Sequence, residues 1–257
     1  MSDEATNSDD RSTEPSAGSP SEFTPGSASE STSGSAPAVL SGTDAAAAVD
    51  GLGWRVVLST LLASVPVDSL ARAADVARLA VEACGADADG HLRVDLRPDR
   101  VELAVHDRTL ATHTARDVEL VRAVDAALRN AGYSLAPPTG RRPVQMLEVA
   151  IDALDIPAIR PFWAAVLGYD DEPGTDALVD PLRQGPSFWF QQMDEPRPQR
   201  NRIHFDVVVA HDEAERRIQA ALDAGGAMLS NAAARAFWIL ADAEGNEVCV
   251  CTWQDRD

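Results

Sequence analysis

The chain has 257 residues, 41 acidic against 22 basic, and a formal net charge of −19. That balance excludes the basic footprint of a duplex-DNA binder or of a protein held on an anionic membrane. All 22 basic residues are arginine, which excludes a Schiff-base lysine and a P-loop lysine. We attribute the missing lysine to codon bias, as we do the abundant alanine.

Residues 1–45 are rich in Ser, Thr, Gly, Pro and Ala, with eight acidic residues and the single basic Arg11. Such a mixture buries too little apolar surface to offset chain entropy, so a disordered acidic tail is expected. No apolar run reaches the roughly 18 residues that span a bilayer, and no basic-then-apolar leader opens the chain. Cys84, Cys249 and Cys251 form no disulfide or zinc spacing and suit a reducing compartment. A cytoplasmic location is therefore expected.

Residues 46–135 alternate strand and helix. Trp54–Val67 reads as one or two strands. Asp68-Ser69 caps a helix running to Gly85, with Leu70, Ala73, Val76, Leu79, Ala80 and Ala83 at helical spacing. Leu92–Leu96 and Val101–Val105 alternate at period two around a Pro98-Asp99 turn, a hairpin. Thr114 and Asp117 resemble a capping box ahead of a helical stripe, Val118, Val121, Val124 and Leu128, that ends at Gly132. The sum is a small α+β sheet with helices on one face.

Residues 136–143 are a Pro/Gly-rich linker, and 144–257 hold an internal repeat of about 58 residues. The first copy begins with a strand over Val144–Asp152 and a helix over 155–167 that closes at Gly168. Short strands follow at 177–180 and 187–193. The second copy has a strand over 202–209 and a helix over 212–223 closed by Gly225-Gly226. Its later strands fall at 228–229, 236–240 and 247–252. Each half reads βαβββ. Cys249 and Cys251 share a strand face, as do Phe188 and Phe190.

Two resemblances follow. Gly53-Trp54, the long helix, the Asp95-Leu-Arg hairpin and Thr114-Ala-Arg-Asp117-Val-Glu-Leu resemble the pterin-4a-carbinolamine dehydratase family. This implies a hydro-lyase that removes water from a 4a-hydroxy-tetrahydropterin. One proton goes to the leaving hydroxyl and another leaves a ring nitrogen, tasks suited to imidazole. The family's His-His-Pro motif aligns with Gly90-His91-Leu92, keeping only His91, and its Thr-His aligns with Asp107-Arg108. Asp117 matches the family's aspartate. The resemblance thus implies His91 and Asp117 as catalytic residues, and a slipped register would bring His106 or His113 to the site. From its place ahead of the cap, His113 reads as solvent-exposed.

Phe162-Trp163 with Leu167-Gly168-Tyr169, Asn201-Arg-Ile-His204-Phe-Asp206, and Asp242-Ala-Glu-Gly245-Asn246-Glu-Val-Cys249 resemble the glyoxalase-like branch of the vicinal-oxygen-chelate superfamily. That implies paired βαβββ modules around a cleft and, in many members, a divalent metal. Carried over, the metal ligands would be Glu148 and His204, with Gln191 or Gln192 near a third position and Cys249 where a glutamate is usual. Such a set suits Zn, Mn or Fe. The whole chain is then an α+β protein of small-molecule metabolism, a dehydratase-like domain followed by a glyoxalase-like one. It takes a small-molecule ligand and, by analogy with both families, forms a homo-oligomer. The alternative is a non-catalytic binding or regulatory protein that keeps both clefts without the chemistry.

Overall fold

The computed structural model describes residues 38–135, 144–197, 199 and 203–255. The acidic residues 1–37 and the linker 136–143 lie outside the described residues, as do Asn201 and Arg202. Regular elements are present ahead of the expected boundary at residue 45. Strand β1 (Val39–Leu40) is followed by helix α1 (Gly42–Ala48). Ser41 caps that helix by accepting from the Asp44 amide at 3.1 Å. The alanine run that follows has high helix propensity, and Ala45 is fully buried.

The N-terminal part continues with β2 (Arg55–Val57), β3 (Thr60–Pro66), α2 (Leu70–Cys84), a one-turn helix α3 (Ala88–His91), β4 (Leu92–Leu96) and β5 (Arg100–Val105). Strand β6 (His113–Thr114) and helix α4 (Ala115–Asn130) complete it. The four main strands form an antiparallel sheet in the order β2-β3-β5-β4, and β1 pairs with β6. Alternation sets what each face does. Leu61, Ala63 and Val65 of β3 and Val101, Leu103 and Val105 of β5 pack against Ala73, Val76 and Ala80 of α2 and Val118, Val121, Val124 and Leu128 of α4. The alternate positions, among them Thr60, Arg93 and Ala104, lie on the helix-free face.

The C-terminal part is a repeat in fact. Strand β7 (Glu148–Ala153), α5 (Ile156–Leu167), β8 (Asp170–Asp171), β9 (Leu178–Val179) and β10 (Ser187–Gln192) make one sheet, ordered β7-β10-β9-β8. Strand β11 (Phe205–Val208), α6 (Ala214–Asp223), β12 (Ala227–Ser230), β13 (Phe237–Ala241) and β14 (Glu247–Cys251) make the other, ordered β11-β14-β13-β12. In each half the first strand runs parallel to the last. Pro161 is accommodated inside α5, and Gly168 ends that helix at φ 70°, a left-handed cap that suits glycine.

One core spans both halves, with Phe162 and Trp163 of α5, Phe188 and Phe190 of β10, Ile218 of α6 and Val248 and Val250 of β14. Asp242 ties the halves together. It accepts from Trp163 Nε1 at 2.9 Å and from the amides of Glu244 and Asn246. Glu244 reaches back to the amides of Leu154 and Asp155. The expected Phe-Trp and Asp-x-x-Gly-Asn markers are therefore the joint between the repeats. Phe188 and Phe190 do share the core face, leaving Ser187 and Glu148 on the helix-free one.

Candidate functional site

Helix α4 opens with a reciprocal cap. Thr114 Oγ1 accepts from the Asp117 amide at 3.1 Å, and Asp117 Oδ2 accepts from the Thr114 amide at 2.9 Å. The remaining oxygen, Oδ1, meets His91 Nδ1 at 2.8 Å. The structure thus brings together the two residues singled out for the first domain. Asp117 is 1% exposed, and His91 is half-buried at the end of α3. An ionised carboxylate only accepts, so Nδ1 carries the hydrogen and Nε2 is left for other work.

His106 follows β5 directly, and its amide donates to the His91 carbonyl at 3.0 Å. Its Nδ1 lies 2.9 Å from the Ser59 carbonyl in the β2–β3 turn. A carbonyl cannot donate, so this ring too has its hydrogen on Nδ1 and a lone pair on Nε2. Burial pushes the His106 pKa below the ordinary imidazole value, and the Arg183 charge adds to that. His113 is buried, contrary to the exposed placement expected from sequence, because β6 pairs with β1 and covers it. It bonds to the Leu58 backbone, and burial lowers its pKa as well. Both rings therefore hold the β2–β3 turn, where Leu58 sits at φ 52°, a strained position for a branched side chain. Burial pushes the Asp107 carboxyl up, but the Thr109 hydroxyl and amide, with the two nearby imidazoles, hold it below the usual range.

His91 and His106 line one cavity of about 320 Å³. Its floor is the helix-free face of the N-terminal sheet, with Thr60, Arg93, Ala104 and Arg108. Its roof comes from the C-terminal part, chiefly Met146, Glu148, Val179, Ser187 and the 181–185 loop. Asp180 shapes that loop by accepting from the amides of Leu182, Gln184 and Gly185. Arg183, at φ 53°, turns its carbonyl toward Arg93, which donates to it across the seam. Its own guanidinium pairs with Glu172 at 3.2 Å. A cavity with one wall from each part carries no sequence signature, since no spacing links residues 58–108 to residues 146–187. His106 was within reach of sequence reasoning only through the slipped register.

The two residues expected to ligate metal are not brought into one group. Glu148 faces the cavity and accepts from the Ser187 hydroxyl at 3.1 Å. His204 instead joins Asp206 and Cys249, whose ligand atoms all lie within 4.8 Å of one another. Parallel pairing of β11 with β14 sets Asp206 opposite Cys249, and His204 precedes them on the same face. Gln192 is spent on the carbonyls of Ala153, Leu154 and Met193. Burial, then the Asp206 charge and hydrogen bond, push the Cys249 thiol up to about 11. Imidazole, carboxylate and thiol are a donor set that would hold a divalent ion such as Zn. Asp206 was missed because the resemblance places no ligand there; its period-two offset from His204 was the available signal.

Residues 148–251 match the family model of the glyoxalase-like domain. The chain thus carries a glyoxalase-like domain over that segment, and residues 1–147 lie outside the match. The expected dehydratase-like domain finds no counterpart in these comparisons. Among curated proteins nothing matches the chain. Three solved structures illustrate the likeness. A hypothetical protein from S. aureus is 12% identical, with 44% of this chain and 96% of that one covered and a TM-score of 0.36. A mutant of the genomically encoded fosfomycin resistance protein of Listeria monocytogenes, complexed with Mn(II) and a dihydroxypropylphosphonic acid, is 9% identical, with coverages of 42% and 90% and a TM-score of 0.34. A glyoxalase/bleomycin resistance protein/dioxygenase family enzyme from Burkholderia phytofirmans PsJN is 14% identical, with coverages of 41% and 95% and a TM-score of 0.32. Among the described residues no helix is long and apolar enough to cross a membrane.

Proposed function

We propose that this chain is a hydro-lyase acting on a small hydroxylated heterocycle in the cavity between its two parts. The supporting observation is that His91 and His106 line one cavity while each commits Nδ1 to an acceptor, leaving two Nε2 atoms for the ligand. His91, beside the Asp117 carboxylate, acts as the imidazolium, with a second hydrogen on Nε2, and gives that proton to the leaving hydroxyl. The C–O bond breaks and water departs with its electron pair. His106, kept neutral by burial, takes the proton from the adjacent ring nitrogen, and the freed N–H pair forms the C=N bond. A 4a-hydroxy-tetrahydropterin is the substrate the sequence resemblance implies. The work is assigned to the cytoplasm, in keeping with three buried cysteines that form no disulfide, and to a homo-oligomer.

The test is the rate of dehydration of a freshly generated 4a-hydroxy-tetrahydropterin, followed by absorbance. Catalysis above the spontaneous rate, lost by at least tenfold in His91→Gln and His106→Gln, supports the reading. Binding without acceleration would turn the reading to the non-catalytic alternative.

A second reading concerns the glyoxalase-like domain and rests on the convergence of His204, Asp206 and Cys249. These residues would hold a divalent ion, with Zn favoured over Mn or Fe by the thiol. When bound, such an ion polarises an oxygen-bearing ligand.

A further inference from the structure

We propose that the cavity between the two parts recognises an anionic group on its ligand, a carboxylate or a phosphate, through Arg93 and Arg108. This rests on the cavity being the ligand site, as in the preceding section, but not on the dehydration assigned to it.

Three guanidiniums converge on the cavity, and only one has a carboxylate partner. Arg183 is paired with Glu172. Arg93 donates to the Arg183 carbonyl, and Arg108 donates to the Leu92 carbonyl at 3.3 Å. Among the described residues, neither Arg93 nor Arg108 has a carboxylate within ion-pair distance. The acidic groups nearby are already engaged. Glu148 takes the Ser187 hydroxyl, and Asp180 spends both oxygens on three backbone amides.

This is unusual in a chain where acids outnumber arginines almost two to one. Arg78, Arg97, Arg100, Arg116, Arg160 and Arg235 all hold carboxylates. Arg55, Arg72 and Arg122 do not, but they are exposed and line no part of this cavity. Arg93 is half-buried, and burial, then the Arg183 and Arg108 charges, push its pKa down against the opposing pull of Asp95 and Asp180. A guanidinium stays charged even so. A partly desolvated positive charge without a paired carboxylate is costly, and an anion entering the cavity offsets that cost at Arg93, while the exposed Arg108 stands beside it on the same cavity wall. Leu58, Met146 and Val179 supply apolar wall beside the arginines. The matching ligand is therefore an anion with a flat or apolar body, a size that suits about 320 Å³.

The probes are benzoate, phenyl phosphate and the neutral benzyl alcohol, titrated into the full chain by ligand-observed NMR. We expect the anions to bind at least tenfold tighter than the alcohol. Arg93→Met and Arg108→Met should each weaken the anions at least fivefold, while Arg97→Met, on a surface pair outside the cavity, leaves them unchanged. The order of benzoate and phenyl phosphate tells which acid is the natural one. The inference is overturned if the alcohol binds as well as the anions, if both cavity variants keep full affinity, or if no anion binds up to about 20 mM. Turnover of a neutral heterocycle alongside such a failure would remove only this inference. Anion binding without turnover would remove only the hydro-lyase reading.

Discussion

One carboxylate oxygen of Asp117 holds His91 Nδ1 at 2.8 Å while the other closes the cap of the helix that begins at Thr114. The same side chain therefore aims an imidazole and starts a helix. Asp117→Asn should disturb both, because an amide presents one acceptor oxygen where the carboxylate offers two. A loss of about 1–3 kcal/mol in urea unfolding is expected, together with at least a tenfold fall in dehydration rate. Thr114→Ala removes the hydroxyl side of the cap alone. It should cost about 1 kcal/mol and leave most of the rate, which separates the two tasks.

Stability should fall as pH drops below 6.5. The folded pKa values of His106 and His113 lie below that ordinary value, so between the two the unfolded chain binds protons that the folded chain refuses. The unfolded state therefore gains relative to the folded one on acidification, and stability rises with pH through the same window. Each ring contributes at most about 1.4 kcal/mol per pH unit. Urea unfolding followed from about pH 7.5 to about pH 5 should show a slope that His113→Gln flattens.

Metal content should follow the observed cluster and not the expected pair. Elemental analysis after dialysis against zinc should give about one ion per chain. His204→Ala and Cys249→Ser should each lose it, whereas Glu148→Gln should retain it, since Glu148 stands with Ser187 in the cavity. Retention in His204→Ala would end the second reading.

The joint between the repeats should be sensitive to small changes. Trp163→Phe leaves the buried Asp242 without the indole donor, a loss of about 1–3 kcal/mol. A Cβ at Gly226 would lie 2.3 Å from the Phe162 ring, so Gly226→Ala should cost about 1–3 kcal/mol by overpacking. Thermal unfolding reads both.

Periodicity was enough to place most elements. The hairpin at 92–105, the helix from Leu70 and the βαβββ succession of both repeats follow from alternation, helical spacing and glycine stops. The Thr114–Asp117 cap was legible because its chemistry is local. Long-range placement was not. His113 looked exposed because nothing in the chain near it announces that Val39 and Leu40 return to pair with it. Glu148 and His204 looked like one site because equivalent positions in a repeat suggest equivalent roles, yet the first faces a seam and the second faces its own strand neighbours. The dehydratase-like and glyoxalase-like motifs were read as separate sites, and only the folded chain shows the faces of two sheets meeting over His91 and His106.

The Arg93 guanidinium on the Arg183 carbonyl is a clasp between stretches of chain ninety residues apart. It makes the two parts a poor pair for shuffling. A copy of either part transplanted to another partner would expose half a cavity, with an arginine lacking its carbonyl or a strained loop lacking its clasp. Inheritance should keep the pair together and let it drift as one, with compensating changes on opposite sides of the seam.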